Sequence, residues 1–173
     1  MLVNIALAYT SEISLQGYEY ALTIYNIYKA AVFLGLGSNG GVRHAYIDTA
    51  ITLLSKKLYG VVRAKVYESK AVGYKNQRNF LNTVVRGTTI LTCTDLLSYA
   101  KELEQQIGGT YRFRWGPCEV DIDILFYSDL IYRDGRLTIP HPMVNERDFV
   151  LKPMTDIAPE FVHPVYLKTM RCL

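Results

Sequence analysis

The chain has 173 residues, half of them hydrophobic and one fifth charged, with a formal net charge of +3. That length suits one domain with a real hydrophobic core, and the balance is ordinary for a globular protein. So small a charge argues against non-specific nucleic-acid binding, while a local basic pocket for an anionic ligand stays possible.

Cys93, Cys118 and Cys172 are odd in number and lack CxxC spacing, so neither a disulfide framework nor a zinc site is expected. A reducing, cytoplasmic setting is the default. Residues 1–30 carry Tyr9, Tyr18, Tyr20, Tyr25 and Tyr28 but only Glu12, Glu19 and Lys29 as charges. Asn4, Thr10, Ser11 and Glu12 interrupt any secretory signal. Asn26 and Lys29 break the next apolar run short of a transmembrane span. These residues read as an N-terminal extension of unknown role, with a packed helix around Tyr18 to Tyr28; residues 31–173 read as the domain proper, with no membrane association.

From Ala31 the pattern becomes regular. Ala31 to Leu36 predicts a buried strand, stopped by the loop signal Gly37-Ser38-Asn39-Gly40-Gly41. Ile47, Ala50, Ile51, Leu54 and Leu58 recur at helical spacing, with Gly60 as the helix end. Val61 to Val72 alternates as one long strand, and Phe80 to Thr89 predicts a second strand paired antiparallel to it. Thr92 and Asp95 form a capping box that opens a helix with Leu96, Leu97, Ala100, Leu103 and Ile107 on one face. Gly108 and Gly109 close it, and a strand follows around residues 120–126. Strand, helix, strand, strand, helix, strand is the split β-α-β order of an α+β, ferredoxin-like sandwich. A hairpin with an Asp134-Gly135 turn and a short helix from Met143 to Met154, stopped by Pro153, are added at the C-terminal end. There is no internal repeat.

The chemistry concentrates at residues 112–126, Arg-Phe-Arg-Trp-Gly-Pro-Cys-Glu-Val-Asp-Ile-Asp-Ile-Leu-Phe. Side chains alternate along a strand, so Asp121 and Asp123 share one face, with Val120, Ile122 and Ile124 on the other. Two carboxylates at that spacing suit a hard cation such as Mg²⁺. A solvated acidic strand face is the plainer reading of Asp-x-Asp alone. Leu125 on the aspartate face and apolar neighbours make the segment look interior, and a buried carboxylate pair repels itself unless a cation or proton compensates. Arg112, Arg114, Arg136, Arg147, Trp115 and His141 add cationic clamps and an aromatic seat, the ingredients of phosphoryl transfer. No GxxxxGK[ST] loop or kinase catalytic-loop signature occurs. Gly35-x-Gly37-x-x-Gly40 formally matches a dinucleotide fingerprint, but parallel β-α-β units do not follow it. Taken alone, His141 suits a loop-satisfied histidine as well as a phosphate contact, and Phe80 and Phe149 suit the core.

Further blocks surround this stretch: Phe-Leu-Gly-Leu-Gly-Ser-Asn at 33–39, Asn-Phe-Leu-Asn at 79–82 and Arg-Trp-Gly-Pro-x-x-x-Asp-x-Asp at 114–123. Leu-Thr-Ile-Pro-His-Pro at 137–142, Glu-Arg-x-Phe-Val-Leu at 146–151 and Ile-Ala-Pro-Glu at 157–160 complete the set. Together they resemble 6-hydroxymethyl-7,8-dihydropterin pyrophosphokinases of folate biosynthesis, over about Ala31 to Pro164. The resemblance implies a ferredoxin-like fold and transfer of the β,γ-diphosphoryl group of ATP to the pterin's hydroxymethyl oxygen, releasing AMP. It further implies two Mg²⁺ ions at Asp121 and Asp123, with Arg114, His141 and Arg147 on phosphates. Leu97, Lys101, Glu104, Ile124, Arg136 and Thr138 would lie near the nucleotide. The pterin would sit between Phe80 and Phe149, with Asn82 reading its amide edge and Ser69, Lys70 and Val72 completing the pocket. Trp115 would ride on a closing loop, and Arg112 would replace a lost cation. Linkage to other folate-pathway enzymes is a further implication.

Two departures stand out. Cys118 occupies a position that is usually arginine, and Gly109 stands where another arginine is expected, in a loop shorter by about one residue. A lost bidentate phosphate contact would weaken ATP binding or the transition state by about 1.5 to 3 kcal/mol. The alternative is therefore a weakened homologue that binds nucleotide or pterin without efficient transfer.

Overall fold

A computed structural model of the chain describes Thr23 and residues 28–108 and 116–173. Most of the helix expected around Tyr18 to Tyr28, and the segment carrying Arg112, Arg114 and Trp115, lie outside the described residues. The first strand, β1 (Ala30–Ser38), leads into α1 (Arg43–Leu54), β2 (Tyr59–Arg63), β3 (Tyr67–Ser69) and β4 (Phe80–Thr89). Then come α2 (Cys93–Ile107), β5 (Asp121–Tyr127), the small strands β6 (Tyr132–Arg133) and β7 (Thr138–Ile139), and α3 (Asp148–Ile157).

The main sheet runs β2-β4-β1-β5, with β3 also paired to β4, and all pairings are antiparallel. This is the ferredoxin-like order read from the sequence. On β1, Val32, Leu34 and Leu36 alternate into a core with Ala50 and Leu54 of α1 and Leu96, Ala100 and Leu103 of α2. Phe33 points the other way, into a second core with Val150 and Met154 of α3. The sheet is thus covered on both faces.

Three local expectations need correction. The strand read as 61–72 is broken into β2 and β3, and its pairing with β4 shifts register between them. The Ala64 N–H still donates to the Val84 carbonyl at 2.9 Å, so the interruption is a bulge on an edge strand. Gly60 does not end α1: the helix stops at Leu54, and Gly60 lies inside β2 at φ 60, a conformation glycine adopts without steric cost. Pro153 does not stop the last helix but lies within it, buried beside Val150 and Met154. Burial of its ring offsets the missing N–H donor.

A second bulge matters for the site. Phe33 pairs with Phe126 and Leu34 with Ile124, so Leu125 is the extra residue on β5. Both Leu125 and Phe126 then join the α3-side core, while Ile122 and Ile124 stay in the other. The bulge anchors β5 just beyond its two aspartates.

Candidate active site

The face of the sheet beneath α3 is apolar at one end and open at the other, and the sequence of β1 decides where it opens. After Phe33, the residues of β1 on this face are Gly35 and Gly37, which have no side chains to fill it. A cavity of about 390 Å³ results. Its walls come from β3 (Ser69, with Lys70 and Val72 beyond it), β4 (Phe80, Asn82), β5 (Asp121, Asp123, Leu125) and the start of α3 (Arg147, Phe149). Gly116, Pro117 and Cys118 close a further side. A Cβ on Gly37 would lie 3.3 Å from Asn82 Oδ1 and 3.6 Å from Phe80 Cδ1, so the bare floor runs directly beneath those two side chains. Asn82 is 7% exposed and its Nδ2 donates to Ser69 Oγ at 3.0 Å, which fixes the direction of its amide.

Asp121 and Asp123 both point into this cavity, as their spacing requires. Burial, and then the neighbouring Asp121, push the Asp123 carboxyl up to about 7. Lys101 Nζ on α2 lies 3.7 Å from Asp121 Oδ1 and 2.7 Å from Glu104 Oε1. Burial works against the Lys101 ammonium, but Asp121, Glu104 and Asp123 outweigh it and raise its pKa. Glu104 is raised chiefly by burial, and its Oε1 also accepts from the Ile122 N–H at 2.7 Å.

His141 approaches from the other side, its Nε2 lying 4.0 Å from Asp123 Oδ2. The backbone N–H of His141 donates to the Leu125 carbonyl at 2.9 Å, and its Nδ1 accepts from the Met143 N–H at 3.2 Å. Nδ1 being an acceptor, the proton of the neutral ring is on Nε2, aimed at the aspartates. Burial and the Arg147 guanidinium lower the His141 pKa, so the neutral form dominates near pH 7. Arg147 Cζ lies 5.6 Å from the centroid of the Phe149 ring, a cation–π contact that ties the cation to the aromatic wall.

The residues expected around the nucleotide are more dispersed. Leu97 is half-buried against the helix-side core and Ile124 is part of it. Thr138 and His141 line a second cavity of about 340 Å³ between the β6–β7 hairpin and the chain near His163. Arg136 is exposed at the hairpin, its N–H donating to Asp134 Oδ1 at 2.7 Å. Arg112, Arg114 and Trp115 lie outside the described residues.

Asn39 is one of several buried polar residues that had no expected role. Asn39, 1% exposed, accepts at Oδ1 from the Cys118 N–H and donates through Nδ2 to Gln77 Oε1 and the Arg78 carbonyl. It lay within the Gly-Ser-Asn block, but its partners are distant in sequence, so only that block hinted at it.

Chemically, a cavity lined by Phe80 and Phe149 also holds a carboxylate pair, with Lys101, Arg147 and a neutral histidine beside it. Among the described residues no group of three or more His, Cys, Asp or Glu side chains converges as a metal cage. Two carboxylates with space beside them fit Mg²⁺, which usually keeps waters and substrate phosphates as its other ligands. The raised pKa of Asp123 comes first from burial and then from Asp121, and a cation bound there would offset both by favouring the charged carboxylate.

The chain is 46% identical over 142 residues to the 2-amino-4-hydroxy-6-hydroxymethyldihydropteridine pyrophosphokinase of Aquifex aeolicus, covering 82% of this chain and 89% of that one. It is 41% identical over 133 residues to the folic acid synthesis protein FOL1 of Dictyostelium discoideum, covering 77% of this chain but only 20% of that longer protein. Among solved structures, Plasmodium falciparum HPPK-DHPS has a similar fold, with a TM-score of 0.67 at 17% identity, covering 83% of this chain and 42% of that one. Residues 33–159 match the profile of 7,8-dihydro-6-hydroxymethylpterin-pyrophosphokinase (HPPK), and the chain belongs to that family of folate-synthesis enzymes.

Proposed function

We propose that the chain transfers the β,γ-diphosphoryl group of ATP to the hydroxymethyl oxygen of 6-hydroxymethyl-7,8-dihydropterin and releases AMP. The observation that carries this reading is the single cavity in which the glycine floor, Phe80, Asn82 and Phe149 adjoin Asp121 and Asp123. A flat heterocycle fits the first set of groups, and a metal-bound triphosphate fits the second.

In this reading Phe80 and Phe149 hold the pterin ring and Asn82 meets its amide edge, with Ser69, Lys70 and Val72 at the rim. Asp121 and Asp123 hold two Mg²⁺ ions, which when bound supply Lewis-acid polarisation of the phosphates and charge neutralisation. Lys101 stays protonated beside Asp121 and limits repulsion at the carboxylate pair. His141 donates from Nε2 to a phosphate oxygen, and Arg147 adds a charge-assisted contact. Arg112 and Arg114 contribute cations to the triphosphate, and Trp115 helps exclude water, a competing nucleophile. Leu97, Glu104, Ile124, Arg136 and Thr138 flank the nucleotide. Holding both substrates in line is the largest expected contribution, since there is little covalent chemistry for the protein to perform.

We further assign residues 31–173 to this catalytic domain and residues 1–30 to an extension, in a cytoplasmic setting. No helix among the described residues is long and apolar enough to cross a membrane. Relatives in which the matching part is a fraction of a longer folate-synthesis protein, or of the bifunctional FolKE of Lactococcus lactis, support functional linkage to other enzymes of the pathway.

The test is product analysis. AMP should form from ATP only when the reduced pterin alcohol and Mg²⁺ are both present. ADP as product, or turnover independent of the pterin, would sink the reading.

A further inference from the structure

Resting on that reading, we infer that Asn39 is a positioning residue that couples the ring-binding side of the cavity to its acidic side. Three segments distant in sequence meet at this one buried amide. Asn39 lies just after β1. Its Oδ1 accepts from the Cys118 N–H at 2.9 Å, and its own N–H donates to the Cys118 carbonyl at 3.2 Å. In the other direction Nδ2 donates to Gln77 Oε1 at 2.9 Å and to the Arg78 carbonyl at 3.1 Å. Gln77 and Arg78 immediately precede Asn79 and Phe80, where the aromatic wall begins. Cys118 lines the cavity three residues before Asp121.

The neighbouring contacts point the same way. The Gly40 N–H donates to the Cys118 carbonyl at 2.9 Å, and a Cβ on Gly40 would come within 3.1 Å of that oxygen. Arg78 Nη1 donates to the Gly41 carbonyl at 3.1 Å, and Arg43 Nη1 to the Asn79 carbonyl at 2.8 Å. The loop after β1 is therefore fastened to both walls, and Asn39 is the only side chain in this set that bonds to both. A carboxamide is suited to the task, presenting an acceptor to one segment and two donors to the other. With the buried amide satisfied on both sides, displacing one wall leaves a polar atom unpaired unless the other follows. Ordering of the ring-binding wall by the pterin and of the acidic wall by the nucleotide are thereby linked, and the linkage is reciprocal.

Two measurements test this, one without any ligand. Amide hydrogen exchange of the free protein should show the Cys118 N–H at least fivefold less protected in Gln77→Ala than in wild type, although Gln77 does not touch Cys118. Calorimetry should show the pterin binding more tightly when an unreactive ATP analogue and Mg²⁺ are present. Asn39→Asp, which keeps the acceptor for Cys118 but loses both donors, should cut that enhancement at least fivefold while the thermal transition stays cooperative. Gln77→Ala, which removes one partner only, should cut it by a smaller factor. Unchanged Cys118 exchange in Gln77→Ala, or a full enhancement in folded Asn39→Asp, would overturn the coupling alone. A wild-type protein that binds neither ligand would instead overturn the functional reading.

Discussion

Glu104 Oε1 on α2 accepts the Ile122 N–H of β5 at 2.7 Å, from between the two aspartates of that strand. β5 is an edge of the main sheet, so this N–H has no ladder partner and the carboxylate supplies one. The same oxygen takes Lys101 Nζ at 2.7 Å, which places the ammonium beside Asp121. Glu104 therefore sets both the backbone and the charge environment of the aspartate pair. Glu104→Ala should cost about 1–3 kcal/mol by leaving the N–H unpaired, and should also raise the Mg²⁺ concentration needed for half-maximal rate. Glu104→Gln, which can still accept from Ile122, should recover most of the stability. Urea unfolding and Mg²⁺ titrations of the three proteins provide the check.

The glycine floor gives a sharper contrast. A Cβ on Gly37 would meet Asn82 Oδ1 at 3.3 Å, whereas one on Gly35 would meet only Leu125 Cδ2, at 3.4 Å, as its nearest atom. Gly37→Ala is expected to displace the amide that meets the ring and to raise the pterin KM about tenfold or more, with the ATP KM within about twofold. Gly35→Ala should disturb the pterin less, because Leu125 belongs to the core and not to the ring's polar edge. Steady-state kinetics with each substrate varied in turn separates the two outcomes. Equal effects of the two alanines would mean that the ring does not rest on this floor.

Asp123 links the site to pH. Burial and Asp121 push its carboxyl from an ordinary 3.8 up to about 7. Between those values the folded, metal-free protein keeps a proton that the unfolded chain has lost. Stability must then fall as pH rises from about 4 to about 7, and level off above. Asp123→Asn removes this contribution, so the variant should gain stability over wild type through that window and remain the more stable at pH 8, although turnover is lost. Scanning calorimetry of both proteins in chelator at several pH values reads the difference directly. Asp121→Ala and Asp123→Ala should likewise abolish AMP formation while preserving the fold. For wild type, apparent Mg²⁺ affinity should climb up to about pH 7 and then flatten, since the ion competes with the proton.

The contrast between Thr92 and Asn39 shows how much could be read from the sequence. Thr92 Oγ1 accepts from the Asp95 N–H at 3.1 Å, three residues away, and α2 begins where that capping pair places it. β4 likewise spans the 80–89 stretch expected from its composition, and Asp121 and Asp123 share a face because strand geometry demands it. These features depend on neighbours in sequence. Asn39 depends on residues 77, 78 and 118, and Glu104 on Ile122, so their roles exist only once the sheet is assembled. The break between β2 and β3 follows the same logic: the apolar pattern continues through it, and only register against β4 shows where the bulge falls. Pro153 misled because a breaker rule ignores what burial of its ring can offset.

Cys118 permits a prediction about both reactivity and charge. Burial, followed by the carboxylates of Asp121, Glu104 and Glu119, pushes its thiol up to about 12. At pH 8 the thiolate fraction is then about 10⁻⁴, and the thiolate is the reactive species. Iodoacetamide at that pH should label exposed Cys172 and leave Cys118 unmodified, as peptide mass spectrometry would show. The cavity wall beside Asp121 thus carries a neutral group, three residues from the carboxylate. Introducing a cation there by Cys118→Arg should tighten binding of an unreactive ATP analogue about tenfold, equivalent to about 1.4 kcal/mol, if the new guanidinium reaches a phosphate. The backbone at 118 is held by Asn39 from both its N–H and its carbonyl, so the substitution changes the side chain without freeing the loop. Weaker nucleotide binding in Cys118→Arg, with Mg²⁺ affinity reduced in parallel, would show that the arginine pairs with Asp121 instead and that a neutral residue at 118 protects the metal-binding face.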